Sequence, residues 1–242
     1  MTTGAMRIQR ALARAGVASR RRAEQMIAAG RVMVNGTPAA IGQVVDPEHD
    51  AIAVDGTPIG RVVADYWLVL NKPAGVITSR GDPRGRRTVF DLVPQVPGLT
   101  YVGRLDYLTE GVLLLTTNGD AAHALMHPSR EVERTYAATV RGDVPAALRA
   151  MRRGVDLEDG PVRPRAVQAE PVGQGRWDMS FTIAEGRNRE VRRLCRALDL
   201  FVDRLVRIRF GPVSLGQLAP GGTRPLSERE RAVITAVTTA QR

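Results

Sequence analysis

The chain has 242 residues, of which 43% are apolar, with a formal net charge of +10 and a single cysteine, Cys195. That length buries a real core in one large domain or two smaller ones, and the apolar fraction excludes general disorder. One cysteine excludes an internal disulfide framework or a cysteine-built zinc site, and aromatics at 4% argue against a single-strand binder made of stacked rings.

Met1 to Ala15 carries arginines where a signal peptide needs its apolar run, and no segment reaches the apolar length of a membrane span. A cytoplasmic protein with no membrane partner is expected. The basic residues are arginines except for Lys72. Seven arginines and one acid, Glu24, fall between Arg7 and Arg31, and a second basic cluster runs from Arg187 to Arg209. A GC-rich genome explains arginine over lysine, but the sign and clustering of the charge favour a polyanionic partner.

Ile8, Leu12 and Ala15 share one helical face, with Gly16 as a stop. Ser19 is placed to cap a second helix with Ala23, Met26 and Ile27 on its apolar side and Gly30 at its end. Arg20, Arg21 and Arg22 fill its first turn, where the helix dipole disfavours cations; an anionic ligand resolves that conflict. Val32 and Val34 lead to Asn35-Gly36, and Ile52 and Val54 lead to Asp55-Gly56, both hairpin turn signals. Two short helices also fit a helix-turn-helix DNA binder. The hairpins, with GRVMVNG between, instead resemble the S-four-type RNA-binding domain over about Arg7 to Ile59.

Residues 61–66 form the expected hinge, and 67–242 a larger mixed domain. Trp67 to Leu70 is a predicted strand, broken by NKPAGV at Asn71 to Val76. Ser79 to Thr88 is a loop in which Arg80, Arg84, Arg86 and Arg87 are either solvated or in reach of phosphates. The run VGRLDYLTEGVLLLTTNG, Val102 to Gly119, sets Asp106 two residues after Arg104 and just before the aliphatic strand Val112 to Leu115. By itself Asp106 fits a turn or N-cap, and Glu110 a solvated neighbour. Asp120 begins a predicted helix through Met126, stopped by Pro128. His123 and His127 stand four apart but lack a further ligand, so no metal site is expected.

Arg134 to Val140 alternates as a strand; a lone Tyr136 there is ordinarily a core or edge residue. In AEGRNREVRRLC, Ala184 to Cys195, the residues Val191, Leu194 and Cys195 with Leu198 form the buried stripe of a helix. Arg189, Arg192, Arg193 and Arg196 take its other faces, by default a solvated basic side. Val206, Ile208 and Phe210 then alternate with Arg207 and Arg209 as a half-buried strand whose arginines face away. Asp156 to Gly160 and the chain to Gly175 read as connections, and Ser227 to Arg242 as a helix or tail.

GRLD, MHPSREVERTY and EGRNREVRRL together resemble the pseudouridine synthases, in the branch related to the ribosomal small-subunit enzyme. MHPSREVER, RGVDLEDGP and EGRNREVRRL look most like its large-subunit subgroup. The resemblance covers about Arg7 to Leu226. It implies an α+β fold: a small N-terminal S-four-type RNA-binding domain (1–60), then a catalytic domain with a mixed, largely antiparallel sheet. It implies that Asp106 is the catalytic carboxylate, that Tyr136 stacks on the target uracil, and that a basic residue pairs with the carboxylate. Arg192 is the first choice for that residue and Arg189 the second. Arg104 is left to fill the space of a flipped base or to hold a phosphate.

The implied reaction cuts the bond from ribose to a uracil nitrogen, turns the base and rejoins it through carbon, which needs no cofactor. It needs an ionised carboxylate, as nucleophile or base, in a pocket that excludes water. Burial disfavours the charged form, and a neighbouring arginine opposes that. The expected substrate is large-subunit ribosomal RNA, bound by a monomer, with small-subunit RNA as the alternative. A non-catalytic ribosome-associated RNA binder would keep the basic clusters without needing Asp106, Tyr136 and Arg192 together. A glycoside hydrolase would need a second carboxylate, for which Glu110 is the candidate.

Overall fold

The computed structural model describes residues 4–60 and 65–239. The hinge expected at 61–66 falls mostly outside them. The chain divides into two compact units. One holds the residues up to Trp67 with Pro94–Thr100 and Leu115–Asp120; the other holds Leu68–Val93, Tyr101–Leu114 and the chain from Ala121 onward.

In the first unit, helices α1 (Ile8–Arg14) and α2 (Arg20–Ala28) precede strands β1 (Val32–Val34) and β2 (Ile52–Val54). The hydroxyl of Ser19 accepts from Arg22 N at 3.3 Å, so α2 starts at the expected cap. The two strands pair antiparallel at the centre of a four-stranded sheet whose edges are Thr37–Pro38 and Thr57–Pro58. Both hairpins turn on a pair of positive-φ residues, Asn35 (50°) with Gly36 (79°) and Asp55 (49°) with Gly56 (77°). That is the backbone Asn-Gly and Asp-Gly favour. Ile8, Leu12, Ala23, Met26, Ile27, Val32, Val34 and Ile52 close the core between helices and sheet. Burying such aliphatic side chains stabilises the module by roughly 1.5–3 kcal/mol each for the larger ones.

The central sheet of the larger part uses β3 (Trp67–Lys72), β4 (Thr109–Thr116), β5 (Arg134–Arg141), β6 (Ala166–Gly173) and β7 (Arg176–Ile183). β8 (Phe201–Phe210) and β9 (Thr223–Pro225) complete its main path, in the order β6-β7-β5-β8-β4-β3-β9. β8 runs parallel to β4, whereas β6–β7, β7–β5, β5–β8 and β3–β9 are antiparallel. This is the mixed, largely antiparallel sheet of an α+β fold. Helix α3 (Gly119–Met126) ends just before Pro128, and Asp120 sits inside its first turn instead of capping it. α4 (Val144–Arg153) packs on β6, and α5 (Glu190–Ala197) packs on β8 and on the small hairpin Val155–Leu157/Gly160–Val162. The final helix, α6, spans Glu228–Thr239. No helix among the described residues is long and apolar enough to cross a membrane.

Three further local expectations are corrected. The stretch from Asp156 to Gly175, read as connections, holds the Val155–Leu157/Gly160–Val162 hairpin and strand β6 of the central sheet. β3 does not break at Asn71: it runs on through Lys72, with all six residues buried, and stops at Pro73, which lacks the N–H to continue a ladder. In β8 the arginines do not all face away. Leu205 and Arg207 are buried, while Val206 and Ile208 are only half-buried. Both faces of this strand are covered, so apolar alternation does not tell inside from outside.

Candidate active site

A cavity of about 340 Å³ opens in the second unit, walled by several separate stretches of chain. Gly103 to Asp106 come from the loop before β4, Arg134 and Tyr136 from β5, Gly186 to Arg192 from the start of α5, and Leu205 and Arg207 from β8. Asp106, Tyr136, Arg104, Arg189 and Arg192 thus share one site.

Asp106 is held by its backbone. Its carbonyl accepts from Thr109 N at 3.0 Å, closing the turn into β4. Next to it, the buried hydroxyl of Thr78 donates to Leu105 O at 2.9 Å. Beneath the turn lies Lys72, fully buried, whose Nζ donates to the carbonyls of Pro73 at 2.9 Å and Thr109 at 2.8 Å, with Tyr107 O at 3.5 Å. Burial pushes the Lys72 ammonium down to about 8, against the opposing pull of Asp106 and Glu110. The carboxylate itself keeps 36% of its side-chain surface open, on the cavity side.

Tyr136 is 8% exposed, and it follows a register shift between β5 and β8 that re-aims the strand. Its cross-strand partners are Phe181 on one side and Arg207 on the other. Arg207 in turn lies opposite Gly111 of β4, where a Cβ would stand 2.2 Å from Arg207 O. Only glycine fits there, at φ +104°.

The third basic segment is half loop and half helix. Arg189 is the residue before α5 in left-handed conformation (φ 48°), so it does not lie in line with Arg192 and Arg196 on one helix. Its Nε stands 3.8 Å from the Asp106 carboxylate, on the exposed side. Arg192, half-buried on the first turn, donates from Nη2 to Leu108 O at 3.1 Å, while its Nε is buried without a hydrogen-bond partner among the described residues. Burial lowers the Arg192 guanidinium from its ordinary range, Asp106 raises it, and Arg189 lowers it again. The direct ion pair is therefore with Arg189, and the half-buried charge coupled to the carboxylate is Arg192. Arg193 and Arg187 turn away to Asp159, and Arg187 also donates to the carbonyls of Gly160 and Pro161. These two arginines fasten the Val155–Val162 hairpin.

The remaining candidates fall elsewhere. Arg20, Arg21 and Arg22 are exposed on the first turn of α2; Arg20 pairs with Asp120 at 3.0 Å, and Arg22 donates to Gln25 at 3.0 Å. In the 79–88 loop Arg86 is taken by Asp82. Glu110 sits in a two-pronged bond to Arg204, at 2.9 Å for each oxygen, which holds it below the usual carboxylate range. Tied in this way, it has no proton to give as a glycosidase acid. His127 Nδ1 bonds the Ser129 hydroxyl at 2.7 Å.

Lys72, Thr78, Arg134 and Arg207 are the site residues that sequence reasoning passed over. For Lys72 a signal existed: a lone lysine in an arginine-rich chain, at the end of an apolar strand.

Residues 66–197 match the family model described as RNA pseudouridylate synthase, and residues 6–52 match the S4 domain. The chain belongs to the RNA pseudouridylate synthase family, a family of isomerases, and carries an S4 RNA-binding domain at its N-terminus. It is 46% identical over 239 residues to the ribosomal large subunit pseudouridine synthase B of Pseudomonas aeruginosa, covering 95% of this chain and 61% of that protein. An uncharacterized RNA pseudouridine synthase of Mycobacterium tuberculosis is 46% identical over 234 residues, 93% of this chain and 91% of that protein. A crystal structure of a pseudouridylate synthase overlaps with a TM-score of 0.63 at 27% identity, covering 96% of this chain and 99% of that one.

Proposed function

We propose that the chain isomerises a specific uridine of large-subunit ribosomal RNA to pseudouridine. Asp106 is the catalytic carboxylate, Tyr136 the stacking residue, and Arg192 the basic partner of the carboxylate. Residues 1–60 serve as the RNA-binding module and 67–242 as the catalytic domain, joined by 61–66. The supporting observation is that Asp106, Tyr136 and Arg192, far apart in sequence, line one cavity. The large-subunit target rests on the likeness to relatives such as the ribosomal large subunit pseudouridine synthase B of Pseudomonas aeruginosa. We take the protein to act in the cytoplasm as a monomer.

In this reading the target uridine leaves its stack, at a cost of a few kcal/mol, to reach a carboxylate inside the protein. Stacking on Tyr136 offsets part of that cost, on the order of 1–3 kcal/mol. Arg104, exposed at the mouth, fills the vacated position or holds a phosphate. Arg189, equally exposed, holds RNA at the rim, and its long contact to Asp106 is worth little in solvent. Arg192 is half-buried and so acts through a lower dielectric. Asp106 attacks the sugar or base, or removes a proton; either role requires its charged form. RNA closing over the cavity keeps water from the detached base.

Incubating the chain with unmodified ribosomal RNA of both subunits and mapping new pseudouridines tests the proposal. One new site in the large-subunit RNA is expected. A site in small-subunit RNA alone would move the substrate, and binding with no new pseudouridine would favour a non-catalytic RNA binder.

A further inference from the structure

Arg207 is 2% exposed, lines the cavity beside Tyr136, and has a buried Nη2 with no hydrogen-bond partner among the described residues. Its Nε donates to Val112 O at 2.8 Å, which fixes the plane of the guanidinium. Arg134, 7% exposed on the adjacent strand, already spends Nη1 on the carbonyls of Val132 (2.8 Å) and Ala184 (2.9 Å). Both guanidinium groups lie against the Phe210 ring, 5.2 Å and 5.0 Å from its centroid for Arg134 and Arg207. Neither is in a salt bridge among the described residues. A rigid, buried, cationic donor left without an acceptor is rare in a folded protein and calls for one from outside.

The acceptor must be small, flat and able to enter beside Tyr136. A phosphate stays with the sugar at the mouth, where Arg104 is exposed; a base stacked on Tyr136 instead presents its ring edge to the neighbouring strand. We infer that Arg207 donates to a ring carbonyl oxygen of the target uracil and selects uridine over cytidine; this rests on the proposed function. Moving the sugar bond from N1 to C5 is a half-turn of the ring about the axis through N3 and C6. That half-turn interchanges O2 and O4. In uracil a fixed donor therefore meets a carbonyl both before and after the turn. Cytosine carries an amino group at one of the two positions, so it faces the donor with another donor in one of the two states. A site built to hydrogen-bond a group rejects an analogue that leaves its buried donor unpaired.

The test uses a synthetic RNA hairpin carrying the mapped uridine as uridine, 2-thiouridine or 4-thiouridine, sulfur being the weaker acceptor. Single-turnover rates at saturating RNA are compared for the parent, Arg207→Met and Arg207→Lys. In the parent, at least one thio substitution should slow the reaction by about tenfold, and which one identifies the oxygen held first. Arg207→Met should be on the order of ten- to a hundredfold slower on uridine and should no longer distinguish the three RNAs, with Arg207→Lys between. Equal rates for all three RNAs in the parent would overturn the inference, and this arm decides even if Arg207→Met fails to fold by its melting curve. Full thio discrimination in Arg207→Met, with a shallower salt dependence of RNA binding, would assign Arg207 to a phosphate and overturn it too. Absence of any pseudouridine in the parent reaction is a separate result, the failure of the proposed function, and the inference falls with it.

Discussion

The ammonium of Lys72 donates to the carbonyl of Thr109 at 2.8 Å, three residues beyond Asp106, and is fully buried while doing so. A charged donor in a dry place is costly unless each hydrogen has an acceptor. Here the acceptors are backbone carbonyls of Pro73, Tyr107 and Thr109. The result is a turn fixed from below, so that the Asp106 side chain projects from a rigid base and not from a free loop.

The depressed Lys72 ammonium sets a pH dependence of stability. Its folded-state value of about 8 lies below the ordinary 10.5, so at neutral pH both folded and unfolded chains carry the proton, and burial of the charge opposes folding in full. Between about 8 and 10.5 the unfolded chain holds the proton and the folded one releases it, so this contribution favours the fold increasingly as pH rises. The stability of the parent relative to Lys72→Met should therefore rise across that window, by on the order of 3 kcal/mol at most. Paired denaturant titrations from pH 7 to pH 10.5 measure it. A flat difference would mean that Lys72 keeps an ordinary affinity for its proton.

Neutralising Arg20, Arg21 and Arg22 together should weaken RNA binding and flatten its salt dependence, because fewer counterions are released. Arg20 already pairs with Asp120, so the change in slope should come mainly from Arg21 and Arg22. Single-turnover chemistry at saturating RNA should stay near the parent rate. Binding isotherms at several salt concentrations decide it; an unchanged slope would show that this turn does not hold RNA.

Arg192 and Arg189 should separate by what they change. Arg192→Met removes the half-buried charge coupled to Asp106 and the bond to Leu108 O, so the single-turnover rate should fall about a hundredfold with affinity little altered. Arg192→Lys keeps the charge without the planar fork and should recover part of the rate. Arg189→Met, at an exposed rim, should cost affinity and little rate. The reverse pattern would make Arg189 the partner of the carboxylate.

Much of this was legible in the residues. Asn35-Gly36 and Asp55-Gly56 dictate their turns locally, and Ser19 caps α2 as its side chain requires. That Asp106, Tyr136 and Arg192 come together at one cavity was suggested by motif wording, not by physics, since each has an ordinary reading by itself. Three features were not legible. Arg207 is buried because β8 has protein on both faces, and a period of two assigns charges outward by default. Arg189 takes a left-handed conformation that an arginine rarely adopts, so helical spacing wrongly placed it on the helix with Arg192 and Arg196. Lys72 extends β3 past the point where Asn-Lys-Pro suggests an end, because carbonyls from the next segment are there to receive it.

The central claim is that the charge of Asp106 performs the chemistry. Asp106→Asn preserves shape and removes that charge, so the decisive measurement is single-turnover pseudouridine formation by this variant on the mapped RNA, with affinity and melting temperature measured alongside. The account predicts no detectable product, with RNA affinity and stability close to the parent. Product formed at the parent rate would contradict it.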